Sequence, residues 1–149
     1  MTHRIAVGAL VGPLGVLMCH RRPSLKWYPG KWDFPGGHIE DGETAGEALA
    51  RELLEEVNVR ISVPEELPTF RVHYNHGATD GLALSGWVVT EWSGVPENLA
   101  RDEHDDIRWF TPSEALDLDL AHHAYFDVLR DAVASGHKKL RNRDRLERH

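Results

Sequence analysis

The sequence predicts a mixed α/β fold, a sheet sandwiched between helices, and three observations carry that expectation. One segment, Thr44 to about Val57, has the marks of an amphipathic helix. Strand-like stretches lie on both sides of it, and a second helical stretch comes late in the chain. Strands around a central helix with a late second helix fit a mixed sheet covered by helices. The pattern alone leaves strand order open. At 149 residues the chain makes one domain, large enough to bury a sizeable core.

Ile5 to Val11 is rich in small and β-branched residues and reads as a strand; Gly12-Pro13-Leu14-Gly15 turns, and Val16 to His20 returns. Arg21-Arg22-Pro23-Ser24 is a loop, and Trp27, Tyr28 and Trp32 crowd ahead of a short strand, Trp32 to Phe34. Pro35-Gly36-Gly37 reads as a glycine-rich turn. In the helix that follows, Thr44 and Glu47 have capping-box spacing: the hydroxyl accepts from a backbone N–H while the carboxylate reaches back. At ~100° per residue, Ala45, Leu49, Leu53 and Val57 form an apolar stripe that Ala50 and Leu54 widen. Val59 to Val63 reads as a short strand ended by Pro64. Thr69 to Tyr74 alternates, with Phe70, Val72 and Tyr74 facing one way and Arg71 and His73 the other. Asn75 to Gly81 is a turn, Leu82 to Trp92 a long strand, Ser93 to Asp106 a loop, and Ile107 to Phe110 a strand. Thr111 caps a helix with Pro112 at its first position. A longer helix, about Ala121 to Ala134, ends at Gly136.

The net charge of −7 is unevenly spread. The expected domain, residues 1–136, carries 11 basic and 22 acidic residues. The tail from His137 to His149 holds six Lys and Arg against Asp144 and Glu147, and such a terminus is expected to be mobile. An acidic body is a poor nucleic-acid binder, so no nucleic-acid partner is expected. Cys19 is alone, which excludes an intrachain disulfide and makes a buried inert thiol the default. No secretory apolar segment or membrane-spanning run appears, so a cytoplasmic protein without a membrane partner is expected. The ten histidines lack HxH or HExxH spacing, and no zinc site is proposed.

The chemistry concentrates on the first helix. Glu52, Glu55 and Glu56 stand at i, i+3 and i+4 on one face, where adjacent carboxylates repel by about 0.2–0.5 kcal/mol per pair. A hard divalent cation removes that repulsion, and Mg²⁺ suits one or two carboxylates with waters and substrate phosphates. Arg51, between Glu47 and Glu55 at helical spacing, can orient the carboxylates and offset their charge. A bare ExxEE is more often a solvated acidic face; the residues around this one argue otherwise.

Those residues are Gly37, Glu43, then Arg51-Glu52-Leu53, Glu55-Glu56 and Asn58-Val59. Their spacing resembles the box of the Nudix hydrolases, GX5EX7REUXEEXGU, where U is a bulky aliphatic residue. One fixed position departs: Asn58 stands where the family has glycine. That position ends the helix, where a left-handed backbone is common and Asn is the next most tolerant residue. The box covers 23 of 149 residues; a looser likeness extends to the lead-in Trp32 to Gly37 and to Arg108-Trp109-Phe110. The resemblance implies a single-domain α/β/α sandwich with a mixed sheet, as a monomer or homodimer.

The family cleaves a nucleoside diphosphate linked to another group, by metal-assisted attack of water on phosphorus. By this resemblance Glu52, Glu55, Glu56 and the Gly37 backbone carbonyl hold Mg²⁺, for which Mn²⁺ can substitute. The metal neutralises pyrophosphate charge and lowers the pKa of a bound water. Glu43 braces the loop against the helix or stands as an outer ligand. Members differ in their general base. Some use the glutamate matching Glu52; others use an acidic residue on a later loop, for which Glu103 is the candidate, with His104 behind it. Glu103 also fits a plain acidic surface loop. An aromatic platform for a base is worth ~1–3 kcal/mol per stacked base; Trp27, Tyr28, Trp32 and Trp109 are candidates, and Trp87 is left to the core. His38, after the double glycine, is a candidate phosphate contact. His122 and His123 stand near the point where triphosphate-cleaving members read the base edge, usually with aspartate or asparagine. A neutral imidazole offers one donor and one acceptor for the same task; alternatively the two simply cover the helix start.

The leading expectation is a Mg²⁺-dependent pyrophosphohydrolase of nucleoside triphosphates, oxidised ones included, because the chain is little more than the minimal domain. The alternatives are a nucleotide-sugar or dinucleotide pyrophosphatase, where an additional N-terminal region is often found, and a non-catalytic nucleotide-binding module. The complete Arg51, Glu52, Glu55, Glu56 set argues against the module. The isopentenyl diphosphate isomerase branch needs a catalytic cysteine, and Cys19 lies too early in the chain for that role.

Overall fold

The computed structural model describes residues 2–76 and 80–135; the basic tail and the expected helix end at Gly136 lie outside them. β1 (Thr2–Gly12) is the axis of the sheet. Its centre is apolar without alternation because both faces are covered. Val7 and Ala9 join one core cluster, Ala6 and Leu10 the other. β2 (Gly15–Arg21) divides in the same way, Val16 and Met18 against Leu17 and Cys19. The two-residue period of an extended chain makes the split automatic.

The sheet runs β3 (Trp32–Asp33), β2, β1, β6 (Asp80–Val89), β5 (Phe70–His76), with β4 (Gly36–His38) on β1 and β7 (His104–Phe110) on β2. β1 and β6 pair in parallel over Thr2–Leu10, and the other strand pairs are antiparallel. α1 (Ala45–Val57) covers one cluster; α2 (Pro112–Ala115) and a third helix, α3 (125–135), cover the other. The protein is therefore a mixed α/β fold, a central mixed sheet flanked by helices, as the sequence predicts. No helix among the described residues is long and apolar enough to cross a membrane.

Several elements differ from the sequence reading. Gly36 and Gly37 are strand rather than turn: Ile5, Ala6 and Val7 pair with His38, Gly37 and Gly36. This edge pairing is a long-range contact that a glycine pair alone does not signal. Val59 to Val63 forms no strand, only the isolated bridge Arg60↔Ser93, because buried Val59 is drawn under α1 rather than into the sheet. Asn75 and Gly81, read as turn, are paired strand residues, and β6 stops at Val89, short of Trp92. β7 starts at His104 instead of Ile107, paired as far as Arg21 of β2. α3 begins at 125 rather than near Ala121.

α1 starts where its cap predicts. Thr44 accepts from the Glu47 N–H at 3.1 Å and Glu47 returns to the Thr44 N–H at 3.0 Å. Leu49, Leu53 and Val57 are fully buried, but the stripe widens towards Ala48 and Glu56, whereas Leu54 is 36% exposed. The helix is thus rotated so that part of its acidic face meets the sheet. Asn58 ends it with φ 59° and ψ 32°, left-handed as its position suggests, its N–H donating to Leu53 O. Asn58→Gly removes a Cβ cost and adds unfolded-state freedom, so stability should change by less than about 1 kcal/mol. Urea unfolding checks this; a loss above about 2 kcal/mol would mean the Asn58 side chain makes a needed contact.

Candidate active site

Arg51 is the hub of the charged face. Its Nε and Nη2 donate to both oxygens of Glu43, at 2.8 and 2.9 Å. Nη1 donates to Glu52 Oε1 at 2.8 Å and Glu55 Oε2 at 3.2 Å, and Nη2 to the His38 carbonyl at 3.0 Å. One guanidinium therefore ties α1 to the end of β4 and to the loop that follows it. The bidentate pair holds the Glu43 carboxyl down at about 2, while Glu43 and Glu52 push Arg51 up from its ordinary value.

The three helix carboxylates are not equivalent. Glu55 is exposed and shared with Arg51, Glu52 is half-buried, and Glu56 is 6% exposed. Glu56 Oε2 accepts from the Gly36 N–H at 3.3 Å. A Cβ on Gly37 would sit 2.6 Å from the Glu52 carboxylate, so glycine here is what lets β4 lie against the carboxylates. Burial pushes Glu52 up from its ordinary value, although Arg51 opposes this. Burial, then the Glu103 carboxyl, then Glu52 push Glu56 up to about 10.

Glu103 arrives from the loop ahead of β7. The loop is strapped to the end of α1: Glu97 and Leu99 N–H groups donate to Val57 and Glu56 carbonyls at 3.0 and 2.8 Å. These carbonyls have no partner within the helix. On its other side Arg22 N–H donates to Glu103 O at 3.0 Å, Arg22 Nε reaches Arg101 O at 2.5 Å, and His20 Nδ1 meets Asp105 Oδ1 at 2.6 Å. An oxygen each of Glu56 and Glu103 and a ring nitrogen of His104 lie within 4.8 Å of one another. Two carboxylates and an imidazole gathered at this spacing, with Glu52 and the Gly36–Gly37 backbone alongside, are a donor set that fits a divalent cation.

The substrate-contact candidates divide. Tyr28, held at φ 51°, has its ring 4.6 Å from that of His122. His122 is 3% exposed, with Tyr74 at 6.0 Å and Tyr125 at 5.2 Å; burial pushes its pKa down. His123 instead is exposed beside Phe126, 5.3 Å away, so the two histidines do not act as a pair. Trp27 is exposed, and His3 contacts both it and exposed His38, at 5.5 and 5.7 Å. Trp32 packs on His20 and Phe110. Trp109 packs with the α1-side cluster and stacks on Trp92 at 5.9 Å, whereas Tyr28 and Trp32 pack against the other cluster. Trp87 is core, 4% exposed.

Sequence reading missed Asp33, Tyr125 and Tyr74. Asp33 is 9% exposed and accepts from Tyr125 Oη at 2.6 Å, with Arg21 Nη1 3.8 Å away. A carboxylate between Trp32 and Phe34 in a strand was the available signal; its partner 92 residues on had none.

The sequence matches the NUDIX domain family over residues 2–132. It is 31% identical over 115 residues to a CTP pyrophosphohydrolase of Escherichia coli (strain K12), covering 77% of this chain and 81% of that one. It is 43% identical over 132 residues to an RNA pyrophosphohydrolase of Shewanella sp. (strain MR-7), covering 78% of this chain and 66% of that one. The fold superposes on a MutT NUDIX hydrolase from Burkholderia pseudomallei with a TM-score of 0.72 at 23% identity, over 87% of this chain and 97% of that one. The chain belongs to the Nudix family and is a Nudix-type pyrophosphohydrolase acting on phosphoric anhydrides.

Proposed function

We propose that the protein hydrolyses nucleoside triphosphates, with Mg²⁺ as its cation and Mn²⁺ as a working substitute. The observation that carries this reading is the convergence of Glu103 on buried Glu56, beside a Glu52 that Arg51 orients. The box Gly37 to Val59, with Asn58 for the usual glycine, supplies the helix half of that arrangement. Glu52, Glu55, Glu56 and the Gly37 carbonyl would hold the cation. When bound, it neutralises phosphate charge and lowers the pKa of a coordinated water.

Glu103 takes the proton of the attacking water, with Glu52 as the alternative base; either must come within hydrogen-bond reach of that water. Arg51 keeps Glu52 oriented and spreads the charge of Glu43 and Glu55. Tyr28 and His122 are read as the nucleobase contacts, and Trp27 and His38 as contacts on the outer, exposed side. Trp109 and His123 drop out of the substrate set, because Trp109 is stacked into the α1-side cluster and His123 faces solvent on Phe126. A cytoplasmic setting rests on the sequence alone.

The test is phosphate and pyrophosphate release with Mg²⁺ across nucleoside triphosphates, oxidised nucleotides, nucleotide sugars and a 5′-triphosphorylated RNA oligonucleotide. Triphosphates should lead, and the acidic body predicts little turnover of RNA. A leading rate on RNA or on a nucleotide sugar would overturn the substrate reading. His122→Ala should reorder the nucleobases in kcat/KM, while His123→Ala should leave the order unchanged. An even loss across all bases, or none, would remove His122 from base recognition and point to Trp27.

A further inference from the structure

The hydrolytic reading above leaves one buried group beside the carboxylates without a role. His104 opens β7 and is 3% exposed. Its backbone is fully engaged: the N–H donates to Ala100 O at 2.9 Å, and the carbonyl accepts from Asn98 Nδ2 at 2.8 Å. Its ring nitrogen Nδ1, by contrast, is enclosed with no hydrogen-bond partner among the described residues. An unpaired buried polar atom gives up its hydrogen bond to water without replacement, a cost that an apolar ring at this position would avoid. The imidazole also offers a nitrogen within 4.8 Å of oxygens from both Glu56 and Glu103. Two carboxylates and an imidazole differ from the oxygen-only set that Mg²⁺ prefers, and at a mixed nitrogen and oxygen site affinity rises along the first-row series from Mn²⁺ to Co²⁺.

We propose that His104 is a nitrogen ligand in a cation subsite with Glu56 and Glu103, and that this subsite takes Mn²⁺ or Co²⁺ ahead of Mg²⁺. The inference rests on reading Glu56 as a cation ligand and adds a donor of another element to it. With Glu103 engaged as a ligand here, removal of the water proton falls to Glu52, the alternative base, and Glu55 and the Gly37 carbonyl are left to hard cations. The His104 subsite then sets which divalent ion the protein retains when both kinds are present.

The experiment is a Mn²⁺ titration of the full chain followed by electron paramagnetic resonance, with pulsed detection of nitrogen coupling. Wild-type protein, natural abundance and ¹⁵N-histidine-labelled, is compared with His104→Gln and His104→Phe. The two variants differ in polarity and volume, so one can report if the other does not fold. In wild type the bound Mn²⁺ should show nitrogen coupling that changes with the ¹⁵N label, and excess Mg²⁺ should displace it poorly. In the variants the coupling should vanish and Mn²⁺ affinity should fall at least about tenfold, the lower end of what even an outer-shell change costs. Mn²⁺ bound by wild type without nitrogen coupling, coupling that survives in a folded variant, or displacement by equimolar Mg²⁺ would overturn the subsite while leaving the hydrolytic reading intact. Failure of wild type to bind Mn²⁺ at all would take down both.

Discussion

Replacing Glu56 with glutamine should lower turnover on the order of a thousandfold while leaving the fold as stable as before, or more so. The activity loss follows from geometry: Glu56, on α1, is the carboxylate that the Gly36 N–H of β4 and the Glu103 carboxyl both reach. The stability expectation follows from charge. In the cation-free folded protein Glu56 holds its proton up to about pH 10, whereas an unfolded glutamate releases it near an ordinary value of about 4.3. The raised value means that its contribution is fully present below the unfolded pKa and is lost as pH rises towards the folded one. Cation-free wild type should therefore weaken from pH 5 to pH 9, by at most about 1.4 kcal/mol per pH unit for one proton. The glutamine carries no proton to lose and should flatten that slope; so should Mg²⁺ on the wild type. Thermal unfolding at several pH values with EDTA measures it, and an unchanged slope in the variant would refute the assignment of Glu56. Glu55→Gln alters an exposed side chain and should cost less, about ten- to a hundredfold.

Gly36→Ala should cost about 3 kcal/mol or more, enough to lower the urea midpoint sharply. A Cβ there would stand 2.0 Å from the Ala6 carbonyl oxygen and 2.6 Å from the Val7 Cα. Both are backbone atoms of the central strand, so relief requires opening the β1–β4 pairing. Gly37→Ala makes the informative contrast. Its Cβ would meet the Glu52 carboxylate, a side chain that can move. That variant should keep most of its stability and lose activity, because Glu52 is displaced from the position Arg51 gives it. Equal stability losses in the two variants would contradict the placement of β4.

What was legible in the sequence was local. Thr44 and Glu47 lie three residues apart, so the cap that starts α1 is written in adjacent letters, and Asn58 likewise marks its own left-handed end. The alternation of Phe70, Val72 and Tyr74 reports one covered face, and the structure buries Val72 there. Non-local features were not legible. The rotation that buries Glu56 instead of exposing it depends on β4 pairing with β1, and a glycine pair reads equally well as turn or strand. The loop from Ser93 can be recognised as acidic, but its anchoring on the last carbonyls of α1 is made by backbone groups that every residue carries. Tyr125 gives no hint that its hydroxyl meets Asp33. Trp109, on β7, and Tyr28, in the loop ahead of β3, look alike as aromatic platforms until the packing puts them against different clusters.

The central claim is that Glu52, Glu56 and Glu103 form a cation-dependent hydrolytic site. Its most direct test is turnover of a nucleoside triphosphate by the purified chain, after removal of divalent ions with EDTA and after add-back of Mg²⁺. The account predicts that EDTA abolishes hydrolysis, that Mg²⁺ restores it, and that Glu56→Gln is not restored at any Mg²⁺ concentration. Hydrolysis that persists in EDTA, or a Glu56→Gln variant with wild-type turnover in Mg²⁺, would contradict it.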